Sequence, residues 1–409
     1  MKRIYIEDPY CTSNRAVVTA VDARDGLACF SCDESVFFAE NGGQPSDRGT
    51  VSCGGRLWNV TAAFDKGLDT DVWHMSDAPE GTFAVGDEVE LTIDWDYRFA
   101  NMQRHCGEHM LSGTFHTLFG GVNKGFHMGE EYITVDIDLD GRMLSDEEVD
   151  LAERTVNDAI WADLPVNITY FENYEASLVM PVRKQVPHDG EVSVVTVGEL
   201  PDPYDCIACC GTHPSSSAQV GLLAIYKHEN NKGMNRIYFD CGFMAHEKLT
   251  SDYRLLTEIA NSNSCSTGDL MHKLEAAEEQ TSALKVQLAG MSAYIREEEQ
   301  KVIADKFAKA EAENRNSVIH ELDIISVEDL LKLGFSAMEG RTGKLLILLH
   351  PADKTALLYS GGEAKYGDLV RENAAAFNGK GGGRPDNARA VFGSEKDMRA
   401  FAESIAEMV

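Results

Sequence analysis

The chain has 409 residues, of which 43% are hydrophobic and 25% are charged, a composition typical of a globular protein with about two to four domains. A chain of this length can bury a hydrophobic core large enough to be stable without disulfide bonds. The two basic residues near Met1 precede no apolar run, and no stretch of about 18 apolar residues follows anywhere, so we expect a cytoplasmic protein without a membrane span. Its ten cysteines are accordingly expected to be reduced thiols, a few of them metal ligands.

The formal net charge of -30 argues, taken alone, against a nucleic-acid partner. The charge is unevenly distributed, however. Residues 341–409 contain ten Lys and Arg and nine Asp and Glu, whereas residues 1–340 contain 27 basic and 58 acidic residues. A polyanion would therefore meet the last module most easily, and contact elsewhere requires local basic patches.

Residues 1–92 contain short strand patterns separated by turn residues at fairly regular spacing, which predicts a small β-barrel. Within this segment lies Asn41-Gly42-Gly43-Gln44-Pro-Ser-Asp47. Adjacent glycines let a backbone approach a ligand closely, and Gln44 offers both a donor and an acceptor. A tight turn between strands is the alternative interpretation.

Residues 93–245 alternate helix and strand signals, which predicts an α+β domain. Its first helix would carry Met102, His105, Cys106, His109 and Met110 at three- and four-residue spacings. His105 and His109 would then stand one turn apart on one face, where two imidazoles can bind one metal ion. Two ordinary hydrogen-bonded histidines are the alternative.

A second segment, Cys206-Ile-Ala-Cys209-Cys210-Gly-Thr-His213, offers Cys209 and His213 in C-x-x-x-H spacing. Together with the histidine pair it provides one thiolate and three imidazoles, a ligand mix that Zn²⁺ prefers. Taken alone, this segment is also compatible with a turn holding two buried thiols. Cys206-x-x-Cys209 could also bind the metal in another register, and Cys210 is a further candidate.

Residues 246–322 are predicted to be a helical linker. From Leu270 the positions 270, 274, 277, 281, 284, 288, 291 and 295 alternate four- and three-residue steps and are mostly apolar, the pattern of a coiled-coil seam. A hairpin packed on its own chain and a homodimer seam explain this pattern equally well. A homodimer could also form through the C-terminal domain.

Residues 323–409 alternate helix and strand signals, which predicts a C-terminal α/β domain with a glycine-rich loop. That loop contains Lys380, Gly381, Gly382, Gly383 and Arg384, and it does not fit the Walker pattern. Bare backbone N–H groups between two cations could still bind a phosphate, so these five residues are candidate phosphate contacts. A flexible turn is the alternative.

Three of these motifs, in chain order, resemble those of the editing domain of alanyl-tRNA synthetases and its free-standing trans-editing relatives. They are Asn41-Gly-Gly-Gln-Pro-Ser-Asp47, His105-x-x-x-His109 and Cys209-Cys-Gly-Thr-His213. The long helix and Gly381-Gly-Gly-Arg-Pro-Asp386 are similar to the linker and C-terminal domain of the same synthetases. Because there is no room for an aminoacylation domain, we expect a trans-editing protein.

This resemblance implies zinc-dependent hydrolysis of mischarged tRNA(Ala), mainly Ser-tRNA(Ala) and also Gly-tRNA(Ala), because a synthetase pocket rejects such near-isosteric amino acids by only a modest factor. It implies zinc ligation by the two histidines of the helix together with Cys209 and His213. It further implies that Gly42, Gly43, Gln44 and Asp47 lie near the acceptor end and aminoacyl group. The C-terminal module is expected to hold the tRNA body.

Two alternatives come from other classes of protein. A zinc-stabilised tRNA-binding protein without catalysis would use the same residues. His105-Cys-Gly-Glu108-His109 also matches H-x-x-E-H, in which the Glu is the general base of a metallopeptidase. The editing motif gives Glu108 no role, so a solvated side chain is expected there and Glu108→Gln should keep deacylation within about tenfold.

Overall fold

The computed structural model describes residues 1–65, 71–185, 187, 189–361 and 366–408. These form two compact units, Met1–Glu258 and Ile259–Val409. The finer division into segments 1–92, 93–245, 246–322 and 323–409 stays a prediction. The mixed α+β architecture predicted for the chain is confirmed.

The first unit begins with a closed six-stranded barrel in the order β2-β3-β7-β6-β5-β8, as the strand spacing predicted. Side chains such as Val18, Phe30 and Leu91 alternate into its interior. The elements of this part are β1 (Lys2–Arg3), α1 (Ile4–Glu7), β2 (Ser13–Arg24), β3 (Leu27–Cys32), β4 (Glu34–Ser35), β5 (Gly49–Cys53), β6 (Arg56–Asp65), β7 (Val72–Pro79) and β8 (Glu88–Ile93).

The rest of the first unit holds two antiparallel sheets, ordered β14-β15-β10-β9 and β11-β12-β13, and the helices packed on them. Its elements are α2 (Trp95–Phe119), β9 (Val122–Met128), β10 (Ile133–Asp138), α3 (Asp146–Trp161), β11 (Val166–Phe171), α4 (Tyr174–Ser177), β12 (Val192–Val197), β13 (Asp205–Ala208), β14 (Leu223–Asn231), β15 (Met234–Cys241) and most of α5 (Gly242–Ser262), which continues past the unit boundary at Glu258.

Helix α2 is the central element of this part. It begins after Asp94, whose side chain accepts a hydrogen bond from the backbone N–H of Tyr97, and it ends at the left-handed Gly120. The predicted apolar stripe is only part of its buried surface, because Asn101–Phe115 is buried on every face. A helix enclosed in this way holds its polar side chains in fixed positions, since water cannot compete for them.

The second unit contains a five-stranded sheet in the order β16-β17-β18-β20-β19, antiparallel except for the parallel pair β16 and β17. Its elements are α6 (Leu270–Ala312), β16 (Ser317–Glu321), α7 (Val327–Met338), β17 (Leu345–His350), β18 (Thr355–Ser360), α8 (Tyr366–Asn373), β19 (Gly379–Gly383), β20 (Asn387–Phe392) and α9 (Glu395–Glu407).

The predicted long helix is present as the 43-residue α6. Towards its C-terminal end Ile303, Phe307 and Ala310 pack into a core with α7. The seam positions Leu274, Leu284, Leu288 and Met291 are instead exposed. Among the helices of the described ranges, none combines the length and apolar character that crossing a bilayer requires.

The predicted glycine-rich loop is wrong as a loop, because Gly379–Gly383 is the edge strand β19, paired antiparallel with β20. A Cβ on Gly381 would lie 2.3 Å from the carbonyl oxygen of Arg389, so glycine is needed there for the strands to approach. Lys380 and Arg384 are exposed along this edge. A strand that uses its backbone groups in a sheet cannot cradle a phosphate as a loop would.

Candidate metal centre and its cavity

The structure brings together the four side chains predicted as metal ligands. One donor atom from each of His105, His109, Cys209 and His213 lies within 4.8 Å of the others. His105 Nε2 is 3.1 Å from His109 Nε2 and 3.0 Å from Cys209 Sγ. Two turns of α2 and the loop after β13 thus converge on a single point.

The three imidazoles are held in the form that binds metals. Burial lowers the pKa of His105 to about 4, and burial together with the neighbouring rings lowers the pKa of His109 and His213 well below the usual value. All three are therefore neutral at pH 7 and keep a free lone pair. Burial raises the pKa of the Cys209 thiol to about 12, so a thiolate forms there only beside a cation.

The hydrogen bonding of the cluster fits a bound metal ion. Within the described residues, neither ring nitrogen of His213 has a hydrogen-bond partner, and Nδ1 of His105 and of His109 also lack one. Each unsatisfied buried nitrogen costs on the order of 1–3 kcal/mol. A cation bound by the converging donors would offset part of this cost, and three imidazoles with one thiolate suit a soft to borderline divalent ion.

Two contacts explain how α2 carries its histidines into the interior. Arg104 Nε donates to Asp240 Oδ1 at 2.7 Å in a buried ion pair that joins α2 to β15. Gly107 lies against Cys241, where an added Cβ would be 2.2 Å from the sulfur. A glycine weakens a helix interior, but the missing side chain of Gly107 allows α2 to pack directly on β15.

The glycine motif of the barrel packs against this cluster. Gly43 has φ +81° and lies on Phe126, where a Cβ would be 2.5 Å from the ring. Gln44 donates through Nε2 to Thr212 Oγ1 at 2.8 Å and accepts from Thr212 N at 3.0 Å. Gln44 therefore connects the first motif to the third through both atoms of its amide.

The other predicted residues of this motif differ in position. Gly42 lines the cavity beside the cluster, whereas Gly43, Gln44 and Asp47 are not among the described residues that line it. Asp47 forms a fully buried ion pair with Arg98 and accepts from the backbone N–H of Phe38 at 2.7 Å. This carboxylate therefore anchors α2 to the loop.

The two extra cysteines take different places. Cys206 packs with Met180, Val192 and Val194 in a small separate core, and the candidate metal-binding group does not include it. Cys210 is exposed and lines the cavity but also stands outside that group. The alternative register through Cys206 therefore has no support in the geometry.

A cavity of about 390 Å³ opens beside the cluster, lined by His105, His109 and Cys209 among others. Its walls also carry Glu108 and polar residues that the sequence did not single out for this site, among them Asn123, Lys124, Arg183 and Lys184. Glu108 is 2% exposed, so the expectation of a solvated residue there is wrong. Burial raises its pKa, which the charge of Arg183 and hydrogen bonds from Ser112 and Asn123 oppose.

These wall residues converge from separate elements. Arg183 follows α4, and its Nε donates to Asp205 Oδ1 of β13 at 2.7 Å. Lys184 Nζ donates to the backbone oxygen of Asn123 at 3.3 Å. Lys124 is the next residue after Asn123 in β9. The one local signal was the run of cations Arg183-Lys184 in an acidic region, which could have indicated a basic patch.

The C-terminal candidates, Lys380 to Arg384, lie in the second unit along the exposed sheet edge described above. Arg371 of α8 donates to Gly383 O at 3.4 Å and also pairs with Asp368. Their contact with a tRNA stays a prediction.

The sequence of the chain is similar to those of a synthetase domain and of alanyl-tRNA editing proteins. Residues 192–238 match the model of the Threonyl and Alanyl tRNA synthetase second additional domain. The chain is 24% identical to the alanyl-tRNA editing protein AlaX-L of Pyrococcus horikoshii over 398 residues, which are 95% of this chain and 94% of that protein. It is 32% identical to the alanyl-tRNA editing protein Aarsd1 of Bos taurus over 207 residues, 49% of this chain and 42% of that one.

The match extends to synthetases. The chain is 27% identical to the alanine–tRNA ligase of Pyrobaculum aerophilum over 431 residues, which include 99% of this chain and 44% of the ligase. It thus spans less than half the length of this ligase. These findings confirm the resemblance drawn from the three motifs: the chain is similar to the alanyl-tRNA editing protein AlaX-L over 95% of its length and to an alanine–tRNA ligase over 44% of the ligase.

Proposed function

We propose that the chain is a zinc-dependent hydrolase that deacylates mischarged tRNA(Ala), mainly Ser-tRNA(Ala) and also Gly-tRNA(Ala). The observation that carries this proposal is the convergence of four donor atoms within 4.8 Å at the wall of a cavity. The homology to alanyl-tRNA editing proteins over 95% of the chain supports the choice of substrate.

Zinc is the metal that this donor set favours. His105, His109 and His213 supply borderline nitrogens and Cys209 supplies a soft thiolate, whereas Mg²⁺ and Ca²⁺ prefer oxygen. When bound, zinc would supply a Lewis acid that can polarise an ester carbonyl or position the aminoacyl group.

The chain's own residues would bind and orient the ester. At about 390 Å³ the cavity lies within the range of small-ligand sites, so an aminoacyl group fits with room for part of the terminal nucleoside. Phe126 packs edge-on against the His105 ring at 5.7 Å between centroids and gives the wall beside the cluster an apolar part. Gly42 would let the backbone approach the ester, while Gln44 holds the loop to Thr212.

Two groups of cations would meet the tRNA backbone. Lys124 and Lys184 lie exposed on the cavity wall, the local basic patch that a strongly acidic chain needs for a polyanion. Lys380 and Arg384 would contact the tRNA body from the charge-balanced C-terminal module.

The peptidase interpretation of H-x-x-E-H has less support. One carboxylate oxygen of Glu108 is already engaged by Ser112 and Asn123, and that interpretation gives no role to Cys209 or to the glycine loop. A binding protein without catalysis stays the second candidate, because the same cavity and cations would serve it.

One assay separates these functions. Ser-, Gly- and Ala-tRNA(Ala) are incubated with the metal-loaded chain, with and without a chelator, beside a casein digest. We expect hydrolysis of the Ser and Gly esters, slower loss of the Ala ester, inhibition by the chelator and no cleavage of casein. Binding of tRNA without hydrolysis would support the binding protein, and chelator-sensitive casein cleavage would support the peptidase.

A further inference from the structure

The Glu108 carboxylate is a buried polar group in the cavity wall with one oxygen fixed and one free. Oε1 accepts from Ser112 Oγ at 2.5 Å and from Asn123 Nδ2 at 2.7 Å. Among the described residues, none donates a hydrogen bond to Oε2. Glu108 lines the cavity, so Oε2 is the carboxylate oxygen left for a ligand there.

The carboxylate is held rigidly. Ser112 lies one helical turn beyond Glu108 on α2, and Asn123 reaches across from β9 and also donates to Ser112 Oγ at 3.0 Å. These three side chains form a closed set of hydrogen bonds around Oε1. A ligand that binds Oε2 therefore meets an acceptor whose orientation is already set, beside His109 on the same helix.

Glu108 has no cation of its own within 4 Å among the described residues. The nearby Arg183 is engaged by Asp205 at 2.7 Å, and Lys124 pairs with Asp138 at 3.4 Å. A buried carboxylate without a counter-ion is costly, and a cationic ligand that supplies one is bound correspondingly well.

We propose that Glu108 binds the α-ammonium group of the aminoacyl moiety, so that the site accepts esters of free amino acids and rejects N-acylated ones. This inference rests on the proposed function. In an aminoacyl ester the carboxylate has been consumed, and the α-ammonium is the charge next to the scissile bond. Serine, glycine and alanine share it, so Glu108 recognises the class of substrate and does not discriminate between side chains.

N-acylation converts the ammonium into a neutral amide. Such an ester offers Oε2 an amide N–H at most and adds bulk at the same point, so the Glu108 charge stays uncompensated. The protein would therefore not hydrolyse peptidyl-tRNA or other aminoacyl-tRNAs whose amino group is acylated. A general base at this position would instead act on both kinds of ester.

The first experiment measures hydrolysis of Ser-tRNA(Ala) and N-acetyl-Ser-tRNA(Ala) by the metal-loaded wild type, Glu108→Gln and Glu108→Asp. The matched control is Glu191→Gln, which removes a carboxylate from the exposed part of the same cavity. We expect the wild type to prefer the free amine by at least about tenfold in kcat/KM, the size of a lost charged hydrogen bond. Glu108→Gln should raise KM for Ser-tRNA(Ala) by about tenfold with kcat within about threefold, which abolishes the preference.

The variants distinguish recognition from other roles. Glu108→Asp keeps the charge and should keep part of the preference, and Glu191→Gln should keep all of it. An equal fall in kcat on both esters in Glu108→Gln, with zinc content unchanged, would identify Glu108 as the base and overturn the proposal. Equal rates of the wild type on both esters would overturn it even if the variant fails to hold metal.

A binding experiment separates this inference from the proposed function. L-serinamide carries the free α-ammonium without an ester, and N-acetyl-L-serinamide is its neutral counterpart. We expect the metal-loaded chain to bind serinamide at least about tenfold more tightly in NMR titrations, and Glu108→Gln to bind both alike. Amine-dependent binding without deacylation would refute the proposed hydrolase alone. Deacylation without any amine preference would refute the role of Glu108 alone.

Discussion

Two long helices of this protein carry similar apolar spacing in the sequence and end in opposite environments. Helix α2 of the first unit is buried on every face from Asn101 to Phe115, whereas α6 of the second unit exposes the seam positions between Leu274 and Met291. Periodicity thus predicts that a helix forms and does not predict how much of it is covered.

The two helices differ in the side chains that they carry: α2 has charged side chains that need partners when buried, and α6 has apolar side chains that do not. Helix α2 brings Arg98, Arg104 and Glu108 into the interior, and each meets a partner from a distant element. The exposed stretch of α6 holds apolar side chains that the described parts of the chain leave uncovered, and such side chains carry no polar group that needs a partner. Buried polar groups therefore mark the helix around which the site is built.

The largest effect is expected from the metal ligands on α2. The purified protein should contain about one zinc per chain, and His105→Ala combined with Cys209→Ala should remove it and lower deacylation by at least about a hundredfold. Metal content is measured by atomic emission and deacylation on Ser-tRNA(Ala). Cys206→Ala, outside the group of four, is the control that should keep its metal. Full zinc occupancy in the double variant would disprove the ligand assignment.

The two helices can be compared directly through one glycine in each. Gly107→Ala should destabilise the first unit by about 2 kcal/mol, because its Cβ would overlap the sulfur of Cys241. Gly290→Ala should stabilise α6 by about 1 kcal/mol, because apart from the adjacent helix backbone no atom of the described residues lies within 4 Å of the added Cβ and alanine favours a helix.

The four tryptophans, Trp58, Trp73, Trp95 and Trp161, all lie in the first unit, so their fluorescence in urea reports its unfolding. Circular dichroism at 222 nm reports both units and is needed for Gly290→Ala. Equal and small effects of the two substitutions would show that α2 is packed no more tightly than α6.

The sequence predicts those features that depend on neighbouring residues and fails for those that depend on residues far apart in the chain. The barrel and α2 were predictable because strand and turn patterns and helical spacing are local signals, and the four ligands because two short motifs each carry half of the set. The cavity wall was not predictable: Glu108, Asn123 and Arg183 meet from separate elements, and no pattern links their positions. Gly379–Gly383 reads as a loop because glycine favours turns, and pairing with β20 overrides that preference.

The buried histidine of the barrel gives the first unit an acid-sensitive element. His74 donates through Nδ1 to Phe30 O at 3.1 Å, and its Nε2 lies 2.7 Å from Ser35 Oγ. Burial lowers its pKa from 6.5 to about 4, so the folded state holds it neutral. The stabilisation that neutral His74 contributes is present above pH 6.5 and is lost as the pH falls through 6.5 towards 4. The free energy of unfolding should therefore fall by about 2 kcal/mol between pH 7 and pH 5.

The measurement compares the pH dependence of unfolding in wild type and His74→Gln, followed by tryptophan fluorescence. The variant should lose about 2 kcal/mol less than the wild type between pH 7 and pH 5. His127→Gln, which replaces an exposed histidine of the same unit, is the control for the substitution itself. Parallel slopes for the wild type and His74→Gln would contradict a depressed pKa at His74.

The exposed seam of α6 is the counterpart of the covered face of α2, and a homodimer would cover it. If two copies pair there, Leu288→Lys should weaken self-association by about tenfold, because it places a charge among buried apolar side chains. Sedimentation over a range of protein concentrations measures the change. A monomer in both the wild type and the variant would leave the seam as a single-chain surface.

The smallest effect is expected at the sheet edge of the second unit, where Lys380 and Arg384 are exposed. Deleting residues 323–409 is a poor test, because it would uncover Ile303 and Phe307 of α6. Lys380→Ala with Arg384→Ala removes only two charges, and each phosphate contact to an exposed cation contributes modestly. We expect tRNA(Ala) affinity at one fixed salt concentration to fall by about three- to tenfold and its salt dependence to become shallower, with an unchanged rate at saturating Ser-tRNA(Ala). Arg389→Ala on the neighbouring strand is the control for a general loss of charge. Unchanged affinity in the double variant would move the tRNA contact away from this edge and leave the cations of the cavity wall as the remaining candidates.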